Sequence, residues 1–234
     1  MEAIQLSERL RRVAAFIRQG AVLADIGSDH AYLPCFACQT GLAAKAVAGE
    51  VNEGPYRSAI TKVQSLCLEK AVQVRMGNGL EVIDKADAVD TIVVAGMGGG
   101  LIRTILDEGT SKLSDNMTLI LQPNVGSDTL RRWLDSHSWD VSDEDILEED
   151  GHIYEIIVAR YNQQHRGLNG RELLMGPKLL QSRGDVFKKK WLSEAHKVKQ
   201  ILMSLDQTNQ SPDIMAKRCH FEAKLKMIEG EINE

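Results

Sequence analysis

The sequence predicts an α/β fold, a doubly wound sheet followed by a helical hairpin, on three observations. Short apolar, β-rich runs alternate with helical stretches through the first 159 residues. The first of those runs ends in Ala24-Asp25-Ile26-Gly27, a tight turn placed directly before a helical stretch. Beyond residue 186, apolar side chains recur every three or four positions: Phe187, Trp191, Ala195, Val198, Leu202 and Leu205, then Phe221, Leu225 and Ile228.

Ser7 suits the N-cap of an opening helix that carries Leu10, Val13, Ala14 and Ile17 on one face. Strands are expected at 21–26, 45–50, 71–75, 90–95 and 117–122, with helices near 31–42, 55–69, 98–108 and 127–137. Apolar strands divided by helices imply a parallel sheet covered on both faces. Trp139 to Leu147 and His152 to Arg160 flank Glu148-Glu149-Asp150-Gly151, a hairpin signal. Five parallel strands closed by such a pair fit the Rossmann-like sheet of class I methyltransferases, in which one late strand inserts antiparallel. A plain dinucleotide domain would more often finish with another βα unit. The polar, glycine-containing segment 161–183 reads as a connector. Asp206 to Gln210 form a polar break before Ser211-Pro212, which suit a helix N-cap and first position. The expected domains are 1–160, the sheet, and 161–234, an α-helical coiled-coil hairpin.

Composition bounds the functional classes. With 234 residues, 43% hydrophobic and 26% charged, the chain has core enough for one full domain and a smaller one. No apolar run approaches the roughly 20 residues that span a bilayer, and no basic start precedes an apolar block. A cytoplasmic protein with no membrane partner is expected, acting as a monomer. Cys35 and Cys38 form a C-x-x-C without a matching second pair, so no metal site is expected and the four cysteines read as buried free thiols. The net charge of −5 averages two unlike parts. Residues 1–159 carry 14 Lys and Arg against 24 Asp and Glu, whereas residues 160–234 carry 14 against 9. An acidic domain with a basic appendage points to an anionic partner, although a solvated helical surface would look the same.

Candidate chemistry gathers at the C-terminal ends of the strands, where α/β folds bind ligands. The turn Gly27-Ser28-Asp29-His30 is not G-x-G-x-x-G. Asp29 would serve a pyrophosphate poorly, but the positive sulfonium and ammonium of S-adenosylmethionine well. In Gly49-Glu50-Val51-Asn52, Glu50 lies 25 residues beyond Asp25, a spacing that suits an acid on ribose hydroxyls. Gly77-Asn78-Gly79 can bring an amide to the adenine edge, or be an ordinary Asn-Gly turn. Four glycines in Ala95-Gly96-Met97-Gly98-Gly99-Gly100 let backbone approach the methionine part of the cofactor, and Met97 can pack on a base or fill core. In Gln122-Pro123-Asn124-Val125-Gly126, Asn124 can meet the substrate base or cap a helix. Asp29 can hold the cofactor ammonium or an exocyclic amine, and His30 can orient the base or relay a proton.

These segments, in this order and with the basic helical tail, resemble the bacterial tRNA adenine N1-methyltransferases that modify nucleotide 22. The likeness covers essentially the whole chain, and the specific parts are Gly27 to Pro34 and Ala95 to Gly99. It implies S-adenosylmethionine as methyl donor, tRNA as substrate and a coiled-coil domain that helps to bind it. Cys35 and Cys38 stand where aliphatic residues are expected. The candidate set is Asp29, His30 and Asn124 around the reacting base. For the cofactor it is Asp25, Gly27, Ser28, Glu50, Val51, Asn52, Gly77, Asn78, Gly79, Gly96, Met97, Gly98 and Gly99. For tRNA it is Tyr32 with Arg183, Lys188, Lys189, Lys190, Lys197, Lys199, Lys217 and Arg218. Adenine N1 already carries a lone pair, so these groups position the base more than they ionise it. The alternatives are a methyltransferase on another RNA, a protein or a small molecule, a noncatalytic RNA-binding module that keeps the fold, and an NAD(P) oxidoreductase.

Overall fold

A computed structural model describes residues 4–206 and 211–232. Helix α1 (Glu8–Ala15) opens the chain, with Ser7 Oγ accepting the Leu10 N–H at 3.2 Å. A βα alternation follows: β1 (Ala21–Ile26), α2 (Tyr32–Gln39), β2 (Ala43–Glu50), α3 (Glu53–Ser65), β3 (Val72–Met76), β4 (Thr91–Gly98), α4 (Gly99–Glu108), β5 (Thr118–Val125) and α5 (Ser127–Ser136). The hairpin β6 (Trp139–Glu149) and β7 (His152–Tyr161) turns through Asp150 and Gly151, both at positive φ as a tight primed turn requires. The strand order is β3-β2-β1-β4-β5-β7-β6, with β7 antiparallel between β5 and β6. This is the class I methyltransferase arrangement expected from the sequence.

Strand alternation sorts the core into two layers. Leu23, Ala48, Val93, Ile120 and Val158 belong to the cluster with Val13 of α1, Ile17 just beyond that helix, Leu33 of α2 and Val63 of α3. Ala24, Val47, Ile92, Leu121 and Ile157 belong to the cluster with Ile102, Leu106, Leu130 and Leu134, from α4 and α5. The hairpin is tied to α5 by a buried ionic group. Arg131 of α5 donates to Glu144 and Glu155, each at 2.7 Å, and all three side chains are inaccessible or nearly so.

The chain divides into compact units at Met1–Lys178 and Leu179–Glu234. The break falls later than the boundary expected after residue 160, because 161–178 is no loose connector. His165 bonds Asp135 (2.7 Å) and Asp140, Leu174 O accepts from Arg131 (3.3 Å), and the Lys178 N–H donates to Glu144 (2.8 Å). Within that stretch lies α6 (Gly170–Met175), capped by Asn169; α7 (Leu179–Ser182) follows at the start of the second unit. The second unit also holds α8 (Asp185–Asp206) and α9 (Pro212–Ile232), which pack on one another. Ile214 N–H reaches Ser211 Oγ at 3.4 Å, the expected cap. Positions 207–210 of the expected polar break lie outside the described residues. The cysteines are all free, but Cys38 is only half-buried and Cys67 and Cys219 are exposed, against the expectation of burial: Cys67 falls in the turn after α3, at positive φ, and Cys219 on an exposed face of α9. No described helix is long and apolar enough to cross a membrane.

Candidate active site

The β1–α2 turn is an unusual piece of backbone. Gly27 has φ +68°, and Asp29, His30 and Ala31 follow at +45°, +68° and +59°. Three successive L-residues in the left-handed region cost on the order of 1 kcal/mol each or more, a strain that surrounding contacts must hold. They do. The Gly27 and Ser28 N–H groups donate to Gly49 O at 2.9 and 3.1 Å, and Ser28 Oγ donates to the buried Asp25 carboxylate at 2.6 Å. Burial drives the Asp25 pKa up to about 7, with Ser28 opposing and the charges of Glu50 and Asp29 adding to the rise. Asp25 and Ser28 therefore brace the turn from below. A Cβ at Gly27 would meet only the tip of the Met97 side chain, which can swing aside, so glycine is needed there for its φ. Asp29 is the outward group, with its side chain 87% exposed and one oxygen 3.4 Å from His30 Nε2.

Glu50 closes β2 directly beside this turn, since Ile26 pairs with Gly49. It is 5% exposed, and its Oε1 has no hydrogen-bond partner among the described residues. Burial raises its pKa, while the Asp29 and His30 backbone N–H groups pull it back. A buried carboxylate oxygen left unpaired at the mouth of a sheet is a waiting acceptor. The Glu50 carbonyl takes the Gly77 N–H at 2.9 Å, which brings the β3 turn alongside. Asn78 and Glu81 form a reciprocal capping box on a 3-10 turn, the ordinary structural role of that motif, and Gly79 fits against Ile105. Val51 is exposed, and Asn52 holds the N-cap position of α3 without a side-chain cap bond.

The ends of β4 and β5 form the third part. Gly96 (φ +77°) is bulged out of the ladder between Ala95 and Met97, so its peptide groups lose their strand partners. Side chains replace them. Gln122 Oε1 accepts the Gly96 N–H at 3.0 Å, and Asn124 Nδ2 donates to Gly96 O at 2.8 Å. Asn124 is not a helix cap, because Gly126 fills that position for α5. Gly99 serves packing, since a Cβ there would overlap the Gly126 carbonyl; Gly98 caps α4. Arg9, on α1, donates to Gln122 Oε1.

The structure thus joins Gly27, Ser28, Asp29, His30, Glu50, Gly77 and Met97 through direct contacts, and Gly96 with Asn124. Exposed apolar side chains follow the strand ends: Val51, Met76, Leu101 and Val125, besides Tyr32, whose ring lies 4.8 Å from Lys62 Nζ. Met76, Arg9 and Gln122 are absent from the sequence-derived set. An exposed methionine closing a strand carried a legible signal; an arginine on an amphipathic helix did not. The basic candidates for tRNA all belong to the second unit. Several are already paired there: Arg183 with Glu231 (2.7 Å), Lys197 with Glu194 (2.9 Å), Lys199 with Glu229 (2.7 Å), and Arg218 with Asp206 and Glu222 (both 2.8 Å). Among the described residues no cluster of three His, Cys, Asp or Glu could hold a metal.

Comparison with known proteins places this geometry. The sequence profile of TrmK, tRNA (adenine(22)-N(1))-methyltransferase, matches residues 23–230. A Bacillus subtilis tRNA (adenine(22)-N(1))-methyltransferase is 44% identical over 211 residues, 88% of each chain. The crystal structure of the B. subtilis tRNA methyltransferase TrmK superposes with a TM-score of 0.93 at 39% identity, covering 98% of this chain and 99% of that one. A Streptococcus pneumoniae chain, described as a candidate methyltransferase of the same specificity and solved with S-adenosyl-L-methionine, gives 0.87 at 41% identity, covering 97% and 100%.

Proposed function

Because the chain belongs to the tRNA (adenine(22)-N(1))-methyltransferase family, we propose the following roles for its own residues in S-adenosylmethionine-dependent methylation of tRNA. The observation that carries the cofactor reading is the buried, unpartnered Glu50 Oε1 beside the strained Gly27 turn. Glu50 accepts from the ribose hydroxyls, Gly27 and the Asp29–Ala31 backbone cradle the amino-acid part, and Asp29 supplies negative charge near the cationic groups. Gly77, Met97 and the exposed Met76 border the adenine. When bound, the cofactor supplies a methyl group on a positively charged sulfonium.

Adenine N1 is the nucleophile as it stands. Its lone pair bonds the methyl carbon as the carbon–sulfur bond breaks and returns its electron pair to sulfur, so the positive charge passes to the adenine ring with no proton removed. The residues therefore have to unpair the base, aim N1 and exclude water, which is positioning work. Asn124 accepts from the exocyclic amine, Asp29 offsets the charge that appears on the ring, and His30 and Tyr32 flank the base. The second unit carries Lys188, Lys189, Lys190, Lys217 and its other basic residues to phosphates away from the target. A tRNA substrate sets the cytoplasm as the place of action, and we take the acting species to be a monomer. Calorimetric titration of Glu50→Ala with S-adenosylmethionine tests the cofactor site. Unchanged affinity would remove Glu50 from it.

A further inference from the structure

We propose that Arg9 is a positioning residue for methyl transfer, acting through Gln122 to fix which edge of the Asn124 amide is offered to adenine. The proposal rests on the reading of Asn124 as the group that meets the base. An amide side chain presents a donor at one end and an acceptor at the other, and little distinguishes the two orientations unless neighbours do. Here the neighbours form a chain. Arg9 can only donate, and its Nη1 donates to Gln122 Oε1. The same oxygen takes the Gly96 N–H at 3.0 Å. Gln122 is fully buried, so its Nε2 is turned to Asn124 Oδ1, at 3.4 Å. Asn124 Nδ2 then meets Gly96 O at 2.8 Å.

The orientation matters for chemistry. The adenine pairing edge carries an amine, which needs an acceptor, beside N1, whose lone pair must stay free. Asn124 Oδ1 accepts from Gln122 through one lone pair and keeps another for the amine. The opposite orientation would aim an N–H at N1 and occupy the nucleophile. Gly96 alone could hold part of this arrangement, but it is a bulged residue that the β4–β5 ladder does not fix. Arg9 supplies the charged, anchored end of the chain. Its guanidinium carbon lies 5.4 Å from the Tyr154 ring centroid, the Arg9 backbone N–H donates to Glu149 at 3.3 Å, and Nη1 comes within 3.5 Å of where a Gly96 Cβ would stand. A charged donor also polarises the amides beyond it, which strengthens each successive bond.

The test is a kinetic cycle on the full chain with tRNA transcript and S-adenosylmethionine. Arg9→Ala should lower kcat about tenfold, with KM for tRNA and Kd for the cofactor within about twofold, the pattern of a lost transition-state alignment. Arg9→Lys keeps a donor and should restore most of the loss. Gln122→Glu keeps the acceptor for Arg9 and Gly96 but removes the donor to Asn124, so it should fall as far as Arg9→Ala. Adding Arg9→Ala to Asn124→Ala should cost nothing further. Additive losses in that double variant would overturn the proposal, as would a Gln122→Glu enzyme of normal kcat. If Asn124→Ala alone is fully active, the reading of Asn124 fails and this inference with it. Should Arg9→Ala not fold, Arg9→Lys and Gln122→Glu at unchanged Tm carry the same test.

Discussion

Glu50→Ala is expected to separate cofactor affinity from stability, moving them in different directions. In the free protein the carboxylate is 5% exposed and one oxygen has no partner, so its charge is poorly solvated and its pKa stands above the ordinary glutamate value. A raised pKa means that the charged form is less favourable in the native state than in the unfolded chain. Glu50 therefore costs stability at neutral pH, and the cost fades as pH falls through its folded pKa. Removing it also removes an acceptor for the Asp29 and His30 N–H groups, so Tm should stay level or rise slightly. The complex should suffer. Hydrogen bonds to a charged acceptor contribute about 1.5–3 kcal/mol, so the Kd for S-adenosylmethionine should rise roughly 10- to 150-fold. Glu50→Gln keeps the shape without the charge and should fall between. Isothermal titration calorimetry and thermal unfolding on the same samples measure both quantities. An unchanged Kd with a lowered Tm would remove Glu50 from the cofactor site and make it a structural brace for the turn.

Three other perturbations follow from the same geometry. Arg131→Met leaves the Glu144 and Glu155 carboxylates buried without their cation, and should destabilise the fold by about 3–5 kcal/mol in urea titration; a loss below about 1 kcal/mol would mean the group is hydrated or protonated. His165 is pulled down by burial but raised overall by its bonds to Asp140 and Asp135, so its contribution is complete below the ordinary value of 6.5 and is lost as pH rises through the higher folded pKa. Thermal scans across that window should show Tm falling with pH, and His165→Asn should flatten the trend; a trend that survives the substitution assigns it elsewhere. Gly99→Ala forces a methyl group into the Gly126 carbonyl and should cost about 1–3 kcal/mol or more, with a loss of turnover as the β4 and β5 ends part; a wild-type Tm would show that the backbone yields freely.

The parallel strands were legible because each is a short apolar run ended by a turn residue, and the antiparallel insertion because Asp150-Gly151 sits between two alternating stretches. Segment 161–178 was not legible. Its order comes from His165, Leu174 and Lys178 meeting partners that are distant in sequence, and none of these leaves a periodic trace. The same reasoning divides the site. Glu50 was found by its spacing from the Gly27 turn, yet nothing local announced three left-handed residues in Asp29-His30-Ala31. The glycine run at 96–100 was noticed but only partly understood, since Gly99 answers to the Gly126 backbone and Gly96 to a bulge. Arg9 was invisible because an arginine on an amphipathic helix normally points to water, and its partner Gln122 lies more than a hundred residues away. Charge counting marked residues 160–234 as basic, but part of that excess falls in 160–178, within the first unit, and several charges of the second unit are already paired with Glu194, Glu222, Glu229 and Glu231. Salt dependence should accordingly be shallower than the basic count alone suggests.

Delivery of a methyl group to N1 of adenine 22 can be read by nucleoside mapping. Unmodified tRNA transcript is incubated with the protein and isotopically labelled S-adenosylmethionine, digested, and read by mass spectrometry. One labelled methyl per tRNA is expected, recovered as 1-methyladenosine at nucleotide 22 and absent when that adenine is replaced by guanine. Label on another base, on another atom of adenine or undiminished in the substituted transcript would contradict it.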